Sequence, residues 1–256
     1  MPAPVLAANW KMNLGPTDAR AFMAAFLAAY TPRTDRRVLI FPPALSLSTV
    51  QHSLGSRSDI GLGVQNIHAE DKGAFTGESS APMARDAGAR YALVGHSERR
   101  HVFGESDETS AKKCAAALRH GLIPMLCVGE KIEEREQGKT EDVVLRQLRA
   151  GVSLLDRDAI PTLLIAYEPV WAIGTGKTAT PDDATAVHAV IRRELGAIAG
   201  SAAADIPILY GGSVNRDNAR SLLSAEGVNG LLVGGASLDP DDFVARTSVA
   251  ELDAQV

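Results

Sequence analysis

The chain has 256 residues, 45% hydrophobic and 22% charged, which supplies enough apolar material for a sizeable core and shows no compositional sign of disorder. Its 31 acidic and 26 basic residues give a formal charge of -5 with no basic block, which argues against nucleic acid or an anionic membrane as a partner. Cys114 and Cys127 are too few for a disulfide framework and lack the paired spacing of a zinc site, so two reduced thiols in or near the core are expected. The start MPAPVLAANWKMN has no basic segment ahead of its apolar run, and no stretch approaches the roughly 18 apolar residues of a spanning helix, so a cytoplasmic protein is expected.

In chain order, short apolar, β-branched runs recur at 5–8, 38–41, 60–64, 91–94, 123–128, 163–167, 208–210 and 230–233, each near strand length. Segments of helical period lie between them, such as Phe22, Phe26 and Tyr30, or Val187, Val190, Ile191 and Leu195. Thr180-Pro181-Asp182-Asp183 reads as a helix start: a capping hydroxyl, a proline suited to the first turn, and two acids near the positive end of the dipole. Eight strand candidates alternating with helices over about 250 residues fit a single α/β domain, 1–256, folded as a parallel (β/α)8 barrel. An open, doubly wound sheet fits the same count.

In a parallel sheet the residues just past each strand share one face, where such folds place their chemistry. Asn9 and Lys11 follow the first run, Gln65 and Asn66 the third, His96 and Glu98 the fourth, Glu130 the fifth and Glu168 the sixth. Gly211-Gly212-Ser213 and Gly234-Gly235 follow the last two. Taken singly, each has a plain reading. Lys11 could be a solvated lysine, His96 a helix cap or a satisfied core histidine, and either glycine pair a tight turn. Glu98 reads as structural, serving the helix dipole and pairing with the neighbouring arginines. Together, the two late glycine turns suggest a phosphate site, because backbone amides approach an anion closely where side chains are absent.

The stretch GTGKTAT, 174–180, invites a nucleotide reading that its context refuses. A Walker loop needs glycine where Trp171 stands, and the dinucleotide fingerprint needs its first glycine directly after the strand, where Glu-Pro-Val-Trp-Ala-Ile intervenes. A stiff Pro-Val-Trp entry, a Gly-Thr-Gly tip and a Lys-Thr-Ala exit read instead as a lid with two hinges, Lys177 being a hinge residue and Glu168 lying at the entry. A carboxylate facing a phosphate pocket repels the ligand, so a binding module has no use for it. A base that takes a proton from carbon does.

The stretches NWKMN, GAFTGE, LVGHSERR, CVGE, YEPVWAIGTGK, YGGSV and LVGGASL, in this order, resemble the triosephosphate isomerase family along almost the whole chain. The resemblance implies a TIM barrel that interconverts dihydroxyacetone phosphate and D-glyceraldehyde 3-phosphate through an enediolate, in glycolysis and gluconeogenesis, without cofactor or metal. It implies Glu168 as the base, His96 as the neutral electrophile and Lys11 as the cation that attracts substrate. Asn9, Gly174, Ser213, Gly234 and Gly235 would join Lys11 in binding it. It also implies a homodimer in which the loop 73–78, with Thr76 at its tip, inserts near Asn9 of a second copy. Ala7-Ala8 and Leu14 depart from the family's frequent glycine and small polar residue, at no position matched to catalysis. Another sugar-phosphate barrel, such as a lyase, would share the late glycine turns but not the lid with its hinge carboxylate. A non-catalytic relative would be expected to have lost Lys11, His96 or Glu168.

Overall fold

The computed structural model describes residues 3–174 and 178–249. Eight parallel strands close a barrel in sequence order: β1 (Val5–Asn9), β2 (Arg37–Phe41), β3 (Ile60–Val64), β4 (Tyr91–Val94), β5 (Ile123–Val128), β6 (Leu164–Tyr167), β7 (Ile208–Tyr210) and β8 (Gly230–Val233). The register Val5↔Gly230 through Ala8↔Val233 joins first strand to last, so the closed barrel, not the open sheet, is the architecture. Around it run α1 (Pro16–Ala29), α2 (Leu47–Leu54), α3 (Ala81–Asp86), α4 (Ser97–His101), α5 (Asp107–Arg119), α6 (Ile132–Glu136), α7 (Thr140–Val152), α8 (Pro181–Ala199), α9 (Arg216–Leu223) and α10 (Pro240–Val249). No helix among the described residues is long and apolar enough to cross a membrane.

Both faces of each strand are buried, which is why the strands read as continuous apolar runs rather than alternating ones. Alternation is nonetheless present in where the side chains go. Val5, Ala7, Leu39, Leu93, Met125, Cys127, Leu164, Ala166, Leu209 and Leu232 fill the barrel interior. Leu6, Ile165, Ile208 and Val233 pack outward with Leu148, Ile191 and Leu222 of the helices, and Ala8, Val38 and Ile40 with Phe22, Phe26 and Phe243. The period of two carries this inward face past the strand ends: 164, 166 and then 168; 5, 7 and then 9; 209 and then 211; 232 and then 234. Residues at the mouth are thus the next inward members of their strands.

The predicted start of α8 is a capping box, in which Thr180 Oγ1 accepts from the Asp183 N–H at 3.1 Å and Asp183 accepts from the Thr180 N–H at 2.9 Å. Lys177, read as a hinge, and its neighbours 175–176 lie outside the described residues. Both cysteines are free and buried; burial pushes the Cys114 thiol up to about 12 and Cys127 well above the ordinary value, so both are inert core groups.

Candidate active site

A cavity of about 300 Å³ opens at the C-terminal mouth of the barrel. Asn9, Lys11, His96, Glu168, Gly174, Ser213, Gly234 and Gly235 all line it. Every residue assigned a site role from sequence is therefore brought to one place, although the eight come from five separate strand ends.

His96 is the N-cap of α4, and its Nδ1 accepts from the Glu98 backbone N–H at 3.2 Å. A ring nitrogen that accepts carries no proton, so the neutral imidazole holds its hydrogen on Nε2, an assignment made from the hydrogen-bond pattern. Nε2 lies 3.1 Å from Glu168 Oε1, which makes that contact a hydrogen bond and not an ion pair. Beside it stands the Asn9 amide, Nδ2 at 3.2 Å from Nε2. Its oxygen accepts from the Lys11 backbone N–H at 3.0 Å, which fixes the amide with its NH2 group toward the imidazole. The helix-cap reading of His96 and the functional one thus describe a single arrangement.

Glu168 is 2% exposed and held through both oxygens: Ser97 donates its backbone N–H to Oε2 at 3.0 Å and its hydroxyl to Oε1 at 3.1 Å. Ser97 was not singled out in the sequence, although it sits beside His96 in LVGHSERR. Two glycines make room for the carboxylate's segment. A methyl group at Gly129 would lie 1.7 Å from the Glu168 carbonyl oxygen, and one at Gly211 would lie 3.0 Å from its Cγ. Gln147 holds Gly129 in turn, accepting from its N–H at 2.7 Å and donating to its carbonyl at 3.2 Å.

Lys11 has φ 51, in the left-handed region that a side chain normally avoids. Gln65 braces it by donating Nε2 to the Lys11 carbonyl at 2.9 Å. The Lys11 Nζ donates to Glu98 Oε1 at 2.6 Å. This corrects the expected arginine pairing of Glu98, because Arg99 turns away to Glu105 at 2.7 Å and Arg100 to Asp107 at 2.6 Å. On a five-residue helix, adjacent side chains point in different directions, and only the tertiary fold brings residue 11 under residue 98.

Residues 4–250 match the family described as TIM: Triosephosphate isomerase.

The chain belongs to the triosephosphate isomerase family.

It is 49% identical over 245 residues to a triosephosphate isomerase of Roseiflexus sp. (strain RS-1), covering 95% of this chain and 96% of that one. It is 47% identical over 252 residues to one from Symbiobacterium thermophilum, covering 98% of each. Among solved structures, the triosephosphate isomerase of Bartonella henselae superposes with a TM-score of 0.87 at 42% identity, over 97% of this chain and 99% of that chain. Neither the lyase reading nor the non-catalytic one has such support.

Within this family member, the residues after Glu168 are tied down from below by Glu130. Its carboxylate is fully buried and accepts from Tyr167 Oη at 3.2 Å and Trp171 Nε1 at 2.9 Å, while its carbonyl accepts from the Val170 N–H at 3.1 Å. Burial pushes the Glu130 carboxyl up from its ordinary value against these donors and Arg135, 3.6 Å away. Arg135 also lies over the Trp171 ring at 4.5 Å from its centroid. Position after a strand marked Glu130 in the sequence, but nothing local showed that it would receive a tryptophan 41 residues later.

Proposed function

We infer that Glu168, His96 and Lys11 perform the proton transfers that interconvert dihydroxyacetone phosphate and D-glyceraldehyde 3-phosphate, the reaction of this family and a step of glycolysis. The observation that carries the assignment is the shared cavity wall: a carboxylate, an imidazole Nε2–H and an ammonium face glycine turns across about 300 Å³. A proton on the carbon beside a carbonyl becomes removable when the forming oxyanion is stabilised, and His96 Nε2–H with the Asn9 NH2 supplies donors for it. Lys11 adds a fixed positive charge. Glu168 takes the proton from one carbon and returns it to the neighbouring carbon, while His96 moves protons between the two oxygens.

With both oxygens on Ser97 and His96, Glu168 is parked. Its use as a base requires it to leave Ser97 and turn into the cavity, past the space that Gly211 keeps open. Closure of the segment beginning at Pro169 is the matching movement, because the tip glycine Gly174 already lines the cavity. Gly174, Ser213, Gly234 and Gly235 then hold the phosphate, and exclusion of water keeps the enediolate from eliminating it. A coupled assay of purified protein with each triose phosphate tests this reading: turnover in both directions is expected, and absence of turnover above background would overturn it.

The same reading includes a homodimer. Met12 is 94% exposed, Met83 59% and Phe103 64%, around two neighbouring grooves that share Gln65, Asn66 and Arg99. The first groove reaches Asn9 and Lys11, and the exposed loop 73–78 of a second copy, with Thr76 at its tip, is the proposed occupant. Arg99 and Asn66 are braced beneath by Glu105 and the buried Lys113, whose Nζ donates to Asn66 Oδ1 at 2.7 Å.

A further inference from the structure

At the opposite end of the barrel lies a cavity of about 420 Å³, larger than the one at the mouth. Arg37, Tyr91 and Ile123, the first residues of β2, β4 and β5, line it with Arg57, Asp59 and Arg90. We propose that this cavity is a second site, which binds a small dianion such as a phosphate ester or a dicarboxylate.

Three observations converge on that chemistry. The first is charge. Among the described residues Asp59 is the only acid of the lining, and Arg57 engages both of its oxygens at 2.7 Å. Two positive charges are left over, in a chain whose formal charge is -5. The second is the state of those cations. Among the described residues the half-buried Arg37 guanidinium makes no hydrogen bond or ion pair, and Arg90 reaches only the Ala89 carbonyl at 3.3 Å. A guanidinium presents its donors in a planar fork that matches a carboxylate or phosphate, and a partly desolvated one gains most from such a partner.

The third is space. A methyl group at Gly61 would lie 2.5 Å from the Tyr91 ring and 2.6 Å from Leu39, so glycine alone admits the Tyr91 ring beside the strand. Pairing of β3 with β4 begins at Gly63↔Tyr91, preceded only by the Leu62 carbonyl accepting from the Arg90 N–H at 2.8 Å, so Ile60 and Gly61 have no partner on β4 where they border the cavity. The site lies at the end of the barrel opposite Glu168, His96 and Lys11 and shares no lining residue with the cavity at the mouth.

Titration of the full chain, labelled with 15N-glycine, tests the proposal with inorganic phosphate and succinate as separate probes, against chloride at matched ionic strength. Saturable shifts of the Gly61 and Gly88 amides are expected with at least one probe, and which probe acts distinguishes a phosphate ligand from a dicarboxylate. The shifts should vanish in Arg37→Gln/Arg90→Gln, whereas phosphate shifts at Gly234 and triose phosphate turnover should remain. Arg37→Gln alone, which removes a side chain without a partner, should weaken the response at least severalfold and serves if the double variant does not fold. Silence of Gly61 and Gly88 with both probes, or shifts unchanged in these variants, would overturn the proposal.

Discussion

A single carboxylate shows how far a residue's surroundings decide its role. Glu168 is buried yet fully satisfied by Ser97 and His96, so its replacement by glutamine keeps size and shape and removes the base. Glu168→Gln should lower kcat by roughly 10²- to 10⁴-fold, the usual worth of general-base catalysis, and lower Tm modestly, because the amide NH2 must face one of the donors that the carboxylate accepts from. Near-normal turnover would take the role away from Glu168. His188 behaves differently. Burial holds its imidazole down at about 4, the Gly227 carbonyl opposing and Arg192 adding to the effect, and its Nε2 has no hydrogen-bond partner among the described residues. Its folded value lies below its unfolded value of 6.5, so the unfolded chain binds the extra proton first. Stability from His188 is therefore complete above about pH 6.5 and is lost as the pH falls toward 4, by on the order of 3 kcal/mol. His188→Gln should flatten the acid limb of a Tm-against-pH curve; an unchanged slope between pH 6.5 and 4 would refute the assignment.

At the scale of elements, strand ends and the turns after them do the positioning, and glycines decide how close they come. Gly129 follows β5, where a methyl group would lie 1.7 Å from the carbonyl of Glu168 after β6. No rotamer change relieves a collision with backbone, so Gly129→Ala must push the two strand ends apart. A loss of about 1–3 kcal/mol is expected in chemical denaturation, together with a fall in kcat from a displaced Glu168. Wild-type stability and rate in this variant would show that the strand ends yield easily. Most strand runs were legible as apolar blocks because parallel strands buried on both faces carry little else. The start of α8 was legible because its cap is local, a matter of residues 180 to 183. Glu98 was misread for the opposite reason, since its partner Lys11 is 87 residues away.

For the whole molecule, the proposed homodimer makes the next prediction. Apolar side chains such as Met12 and Phe103 stand out in water beside the groove that reaches Lys11, which is costly for a monomer. Sedimentation at several concentrations should give a dimer, and Phe103→Asp, which would bury a charge in that interface, should shift the distribution toward monomer. A monomeric wild type at micromolar concentration would remove the dimer from this reading.

By itself the sequence determined the alternation of strands and helices, the cap of α8, and the set of chemical groups placed after the strands. Those are properties of neighbours along the chain, read through burial, periodicity and capping. It also carried seven ordered motifs of one family. Only the tertiary structure decided that the sheet closes between β1 and β8, that Ser97 and His96 hold both oxygens of Glu168, and that Glu130 anchors Trp171. Each of these joins groups far apart in sequence, and such pairings are set by packing of the whole barrel, which no local preference encodes.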